Sequence, residues 1–251
     1  MTEATIDELT RPDEAFSGNR LLATLSRELR ELVEPFGQML ELESGDLVLR
    51  RGEQVEASLF PVGPTMISMI VDLSGGRSAE VASIGREGAV GGIVSCGHVP
   101  AYSRAEVLVP GPAFRVPMTA LEKAKNQSGF LANLFCRFSD YLLAEVMQSV
   151  VCNAYHSIAQ RAARWLLHAQ DRAGDRIELT QEAFAGLLGV QRTTINAVIR
   201  ELTSEGLIAI GRGRIHVTDR TGLKRRSCEC YSRLQEHYEA VIGANGRGGG
   251  G

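Results

Sequence analysis

The stretch from Leu179 to Thr218, LTQEAFAGLLGVQRTTINAVIRELTSEGLIAIGRGRIHVT, constrains the fold more than any other part of the chain. Thr180 is a good N-cap, and Glu182 puts an acid in the first turn, where the helix dipole favours it. Phe184, Leu187 and Leu188 make an apolar face around small Ala185, and Gly189 supplies a left-handed stop. After Val190 and Gln191, the residues Ile195, Val198, Ile199 and Leu202 recur at helical spacing. The opposite face carries Arg192, Thr193, Asn196 and Arg200. Gly206 ends this second helix, and LIAI and RIHV then flank Gly211-Arg212-Gly213 as a short hairpin. Two helices, a tight turn and a hairpin predict a winged helix-turn-helix.

What stays exposed sets the chemistry. A helix fits the DNA major groove, and polar residues near its N-terminus reach base edges. Arg192 can fork onto guanine and Asn196 can pair with adenine. Thr193 and Thr194 suit phosphate or a thymine methyl. Arg200 and Thr180 border the same face, and Arg212 and Arg214 would touch phosphates from the wing. Charge agrees with this placement. Residues 159–227 hold 12 Lys/Arg against 7 Asp/Glu, whereas residues 1–158 hold 13 against 20. The basic excess travels with the helix-turn-helix, although the whole chain has a net charge of −3.

The rest of the 251 residues divides by pattern. Residues 1–18 are polar and read as a flexible N-terminus. Asn19 can cap one short helix and Ser26 a second, RELRELV. From Gly37 the period falls to two, and evenly punctuated short strands predict a β-roll or jelly roll over 19–127. Residues 119–168 lack proline. A short helix around Thr119–Lys125 leads to a long one over 128–158, with Leu131, Leu134, Phe135, Phe138, Leu142, Val146 and Val150 at 3/4 spacing. That stripe is wide enough to pack on the roll and also pair with a second copy of itself. The winged domain is expected over 159–221, with Trp165 in its core. A helical extension over 222–245, packed on the winged domain, and a disordered glycine-rich tail over 246–251 complete an α+β chain.

Several function classes fall away. A metal-dependent cupin would need a histidine cluster in the roll, but only His98 precedes residue 156. No nucleophile–base pair stands out, so an enzyme is not expected. No apolar run approaches the roughly 18 residues of a membrane span. Five scattered cysteines and no signal peptide suggest a reducing cytoplasm.

The order of β-roll, long helix and winged domain over residues 19–221 resembles the Crp/Fnr family of bacterial transcription regulators. VQRTTINAVIREL is similar to the family's recognition helix, with Arg192 matching its first arginine. Thr193 stands where the family commonly has an acid, and Ala197 where it has a second arginine. The resemblance implies a homodimer on a pseudo-palindromic operator of double-stranded DNA, with RNA polymerase as a further partner. The roll would be cyclic-nucleotide-binding-like, but IGREGAVGGIV and YSRAEV depart from the family's cyclic-AMP pocket. Gly91 and Gly92 lie in the first segment, with Gly92 where the ribose-binding Glu belongs. Ser103, beside Arg104, takes the place of the phosphate-binding Arg, and Val146 and Met147 replace the pair that meets adenine. A cyclic phosphate buried without its arginine is poorly compensated, so cyclic AMP is not the expected signal. GREGAVG and the tail motif SCECY resemble a branch of the family with this degenerate pocket.

Two other readings remain open at this stage. The roll can be a scaffold for a ligand-independent regulator, or Cys96 and His98 can supply a haem ligand or redox-active thiol. The first cysteine is Cys96, which excludes an N-terminal iron–sulfur cluster. Cys136 and Cys152 read as packed core thiols. Cys228, Cys230 and His237 do not form a recognised metal motif, and no metal site is expected.

Overall fold

Proline's missing N–H costs nothing in the first turn of a helix, and acids there meet the positive end of the dipole. Pro12, Asp13 and Glu14 accordingly open α1, Pro12–Gly18. The computed structural model describes residues 12–93 and 99–243. Ala15 and Phe16 are fully buried, so residues 12–18 are a packed helix and not the flexible segment expected. Seven residues are too few to display a period. Residues 1–11, Cys96, His98 and the glycine-rich tail lie outside the described residues.

Buried Asn19 ties this entry segment to the domain behind it. Its Oδ1 accepts from the Leu21 and Leu22 N–H groups, capping a 3-10 turn at Leu22–Thr24, and its Nδ2 donates to Pro61 and Gly88 carbonyls. The second helix, α2, is shorter than RELRELV predicts: it covers Arg27–Arg30, and Ser26 makes no side-chain cap bond.

The roll is built from seven strands: β1 (Gln38–Leu42), β2 (Leu47–Leu49), β3 (Ala57–Pro61), β4 (Met66–Asp72), β5 (Ser78–Ile84), β6 (Arg104–Val109) and β7 (Gly111–Pro117). They form two antiparallel sheets, ordered β1-β7-β3 and β2-β6-β4-β5. Alternation explains the two faces: Ala105, Val107 and Val109 of β6 are buried while Arg104, Glu106 and Leu108 are half-buried.

Helix α3 (Met118–Gln127) leads to the long α4 (Gly129–Tyr155), where the Ser128 hydroxyl accepts from the Leu131 N–H. Leu131, Leu134, Phe135 and Phe138 are buried in the roll's own core, with Phe16, Phe60 and Phe114. These four residues were expected in a seam between subunits, and the roll uses them instead. Val150 of the expected stripe does stay exposed, and toward the end of α4 Leu143, Met147, Val151 and Tyr155 are exposed with it. Cys136 lies on the exposed side and is not a packed thiol, whereas Cys152 is buried.

After a Ser157/Gln160 capping box, α5 spans Ile158–Ala173. The winged domain follows as β8 (Arg176–Glu178), α6 (Gln181–Leu188), α7 (Arg192–Ser204), β9 (Ile208–Gly211) and β10 (Arg214–Val217). Its core joins Trp165, Leu166, Phe184, Ile195, Ile199, Leu202 and Ile215. Met66 and Val109 of the roll belong to the same cluster, so the winged domain is docked on the four-stranded sheet.

The C-terminal extension is two helices instead of one: α8 (Arg220–Arg226) and α9 (Cys230–Val241), broken at Ser227–Glu229. Nor does α9 rest on the winged domain alone. Tyr238 and Ile242 enter the roll core, and the Tyr238 ring meets Tyr141 of α4 edge-on at 5.0 Å. An exposed Arg20 stacks over Tyr238 at 4.4 Å and pairs with Glu239. No described helix is long and apolar enough to cross a membrane.

Candidate nucleic-acid interface

The tight turn between α6 and α7 fixes how α7 is presented. The Thr180 hydroxyl accepts from the Ala183 N–H and starts α6. Gly189 ends it at φ 65°, a left-handed conformation that suits glycine. The Val190 N–H bonds Ala185 O and the Gly189 N–H bonds Gly186 O, the two bonds of a Schellman cap. Arg161 of α5 donates to Leu188 O at 2.8 Å, placing a cation on the same carbonyl end.

Helix α7 buries Ile195, Val198, Ile199 and Leu202. Arg192, Thr193, Thr194 and Arg200 are exposed on its other side, and Asn196 is half-buried between the two. The Asn196 Oδ1 is enclosed without a hydrogen-bond partner among the described residues, so its amide must turn outward before it can meet a base edge. Arg226 of α8 pairs with Glu201 and Glu205, fastening the far end of α7.

Arg212 and Gly213 form the tight turn of the wing, with Gly211 paired to Arg214. Arg192, Arg200, Arg212 and Arg214 are exposed, and none makes an ion pair among the described residues. Sequence reasoning missed the third strand of this small sheet, β8, because three residues carry no period. It places exposed Arg176 opposite His216, beside the wing. It also overlooked Gln191, the exposed N-cap of α7, whose side chain makes no capping bond.

The residues singled out for an effector do not converge. Gly91 and Gly92 sit at φ 90° and 60°, and a Cβ on Gly92 would collide with Met118 Sδ. Ser103 is buried, and Arg104 is engaged by Asp72 and Glu106. Val146 is half-buried on α4, and Met147 is exposed on the outer face.

A network of buried charged groups lies instead where the winged domain meets the roll. Arg172 of α5 is buried and donates to Glu87 at 2.8 Å and to Ser83 at 2.8 Å, with Glu145 of α4 at 3.5 Å. Burial alone would lower its pKa; the facing Glu87 and Glu145 raise it and keep it charged. A Cβ on Gly85 would meet the Arg172 side chain at 2.7 Å, so GREG is a seat for this arginine. The Tyr238 hydroxyl donates to Glu87 O at 2.9 Å, bringing α9 to the same turn. Trp165 Nε1–H donates at 2.7 Å to Glu80 Oε1 on β5, and Ser68 bonds its other oxygen. Burial raises the Glu80 pKa against those two bonds. A cavity of about 650 Å³ opens beside this network, lined by Arg20, Glu87, Tyr141, His168, Arg172 and Tyr238. None of the six effector residues lines it.

Glu145 Oε2 is buried without a partner. Burial pushes its carboxyl up to about 7, with Glu87 and Glu80 also raising it and Arg172 and Arg164 opposing them. The folded chain therefore holds a proton that an unfolded Glu, near pKa 4.3, has released. Stability contributed by this group falls as pH rises from about 4.5 to about 7. Glu145→Gln should flatten that part of the profile and be the more stable protein at pH 8. Urea unfolding of both proteins at pH 5 and pH 8 checks this, and an unchanged pH slope in the variant would refute it.

A second cluster sits at the other end of α4. Cys152 Sγ lies 3.6 Å from Cys228 Sγ, and Cys230 Sγ lies 3.4 Å from His156 Nδ1. All four ligand atoms fall within 4.8 Å of one another. His237, which the sequence grouped with Cys228 and Cys230, is not in the cluster.

Comparison with known proteins matches this architecture. Residues 160–226 fit the model of the Crp-like helix-turn-helix domain. The HTH-type transcriptional regulator Cmr of Mycobacterium tuberculosis is 42% identical over 52 residues, which span 21% of this chain and 21% of that protein. The global nitrogen regulator of Synechococcus elongatus is 24% identical over 217 residues, covering 82% of this chain and 96% of that one. The structure of FixK2 from Bradyrhizobium japonicum superposes with a TM-score of 0.65 at 17% identity, over 76% of this chain and 98% of that one. The roll, long helix and winged domain are thus shared as a fold, and the helix-turn-helix is shared in sequence. Residues 160–226 therefore form a Crp-like helix-turn-helix domain.

Proposed function

We propose that the chain is a homodimeric transcription regulator that reads a pseudo-palindromic operator, with its roll coupling a signal other than cyclic AMP to DNA binding. The observation that carries the DNA-reading role is the outer face of α7 with the wing. Four exposed arginines there have no acidic partner among the described residues, and all lie within one basic domain. Arg192, Thr193, Thr194 and Asn196 are assigned to base edges and Arg200, Arg212, Arg214 and Thr180 to the backbone. Such a regulator works in the cytoplasm, and RNA polymerase is its natural further partner.

Arg192→Ala should cost about 1–3 kcal/mol on the operator and much less on random DNA. Arg212→Ala should weaken both equally and reduce the salt slope by about one unit. The operator is first selected from random fragments, and affinities are then measured across a salt series. Equal losses on operator and random DNA for Arg192→Ala would remove it from the base-reading set.

The coupling rests on the junction of roll, α4 and α5. A signal that alters the seat of Arg172 would change the angle at which α7 is presented, and one angle alone fits successive major grooves, roughly 34–36 Å apart. A second reading, a ligand-independent regulator, has its own support: Met118 fills the space beside Gly92. Under that reading, no small molecule raises the melting temperature while the operator is still bound tightly. The cavity is lined by both arginines and acids, so small molecules of either charge are the ligands to try.

A further inference from the structure

Where α4 ends, Cys152 and His156 lie four residues apart on one helical face. The loop between α8 and α9 brings Cys228 to this face, and Cys230, the first residue of α9, follows it there. The three sulfurs are buried and form a cluster of their own, apart from both hydrophobic cores. The His156 side chain is 15% exposed. All three thiols are free, and 3.6 Å is far beyond a disulfide bond of roughly 2.05 Å.

We infer that Cys152, His156, Cys228 and Cys230 form a tetrahedral zinc site that clamps the end of α4 to the α8–α9 loop. The ligand spacing fits. Zinc–sulfur bonds near 2.3 Å and zinc–nitrogen bonds near 2.05 Å give tetrahedral edges of about 3.8 Å between sulfurs and about 3.5 Å between sulfur and nitrogen. The Cys152–Cys228 and Cys230–His156 pairs stand at 3.6 and 3.4 Å. The widest pair needs to close from no more than 4.8 Å, a movement of about 1 Å against such an edge. Three cysteines and a histidine are a closed structural set, and soft thiolates select zinc over oxygen-seeking cations.

The surroundings orient the ligands. His156 turns Nδ1 toward Cys230 and Nε2 toward Glu229 Oε2 at 3.4 Å, so one nitrogen binds metal while the other donates to a carboxylate. Gln148 Nε2 donates to Cys230 Sγ at 3.0 Å, a bond that suits a thiolate. Binding exchanges three S–H bonds for three Zn–S bonds and adds one Zn–N bond, and the three protons and the metal's waters leave. The resulting centre carries one negative charge. Arg161 and Arg164 of α5 interact electrostatically with Cys152 and offset it.

The position gives the site its consequence. His156 is the C-cap of α4, and Ser157 is the N-cap of α5. The metal therefore holds the junction between the long helix and the winged domain, independently of which DNA is read.

The test uses the full chain, without a histidine tag, reduced and stripped of metal. Cobalt(II) should bind at one equivalent per chain, with the visible bands and thiolate-to-metal charge transfer of a tetrahedral site, and zinc should displace it. Zinc should also raise the melting temperature. Cys152→Ser and Cys230→Ser should abolish the charge-transfer signature, and Cys136→Ser should leave it intact. Because a buried serine can impair folding, Glu229→Gln is the second arm: Glu229 is exposed, and its loss should weaken zinc about 10–100-fold. The inference is overturned by cobalt spectra without thiolate bands, by tight zinc binding that survives Cys152→Ser, or by a Cys152–Cys228 disulfide forming in the presence of equimolar zinc.

Discussion

Arg172→Met is expected to destabilise the folded chain by about 3–5 kcal/mol at pH 8, because it strands buried carboxylates instead of deleting an ion pair cleanly. Arg172 is 6% exposed and is the cation facing Glu87 and Glu145, and it also donates to Ser83. Methionine fills much of the volume, so a cavity contributes little and the cost is electrostatic. Two comparisons isolate that cause. At pH 5 the penalty should shrink, since Glu145 is protonated below about 7. The triple variant Arg172→Met, Glu87→Gln, Glu145→Gln should recover much of the loss, because no buried charge is left unpaired. Urea unfolding supplies both readings. A penalty independent of pH and unrelieved in the triple variant would mean that packing, not charge, holds the winged domain to the roll.

Some of this was legible in the residues and some was not, for physical reasons. The helix-turn-helix was legible because several local signals coincide within one short stretch: the Thr180 cap, the Gly189 stop and the 3/4 spacing of Ile195, Val198, Ile199 and Leu202. The roll was legible as a class, from short strands broken by turn residues. Pairing order was not, because every partner of β7 is remote in sequence. GREGAVG and CECY stood out as motifs, but their work is done in three dimensions. Glu87 meets an arginine 85 residues away, and Cys228 meets Cys152 across 76. A sequence pattern records neither distance. The most instructive difference concerns α4. Its periodicity marks an apolar cylinder nearly all round, and periodicity alone does not divide that cylinder between the roll and a second chain. Burial does: Leu131, Leu134, Phe135 and Phe138 face inward, and Leu143, Met147 and Val150 face outward.

That division sets the second large effect. Leu143, Met147, Val150 and Ala154 follow one another by four, three and four residues, the alternation of a coiled-coil seam, and all four are exposed. A contiguous apolar strip of this kind on an otherwise polar helix face marks an interface. If two α4 helices pair along it, Met147→Glu with Val150→Glu places like charges across the two-fold axis in a desolvated strip. The double variant should then be monomeric at concentrations where the parent is a dimer, as read by light scattering. Its operator affinity should fall about 10²–10⁴-fold, because the second half-site is no longer tethered to the first. Its urea midpoint should be little changed, since neither side chain belongs to the core of its own chain. Phe138→Ala gives the opposite pattern: it opens the roll core, costs about 3–5 kcal/mol of stability and does not specifically split a dimer. A Met147→Glu, Val150→Glu variant that stays dimeric and keeps full operator affinity would exclude the outer face of α4 as the seam, and with it the symmetric presentation of the two recognition helices.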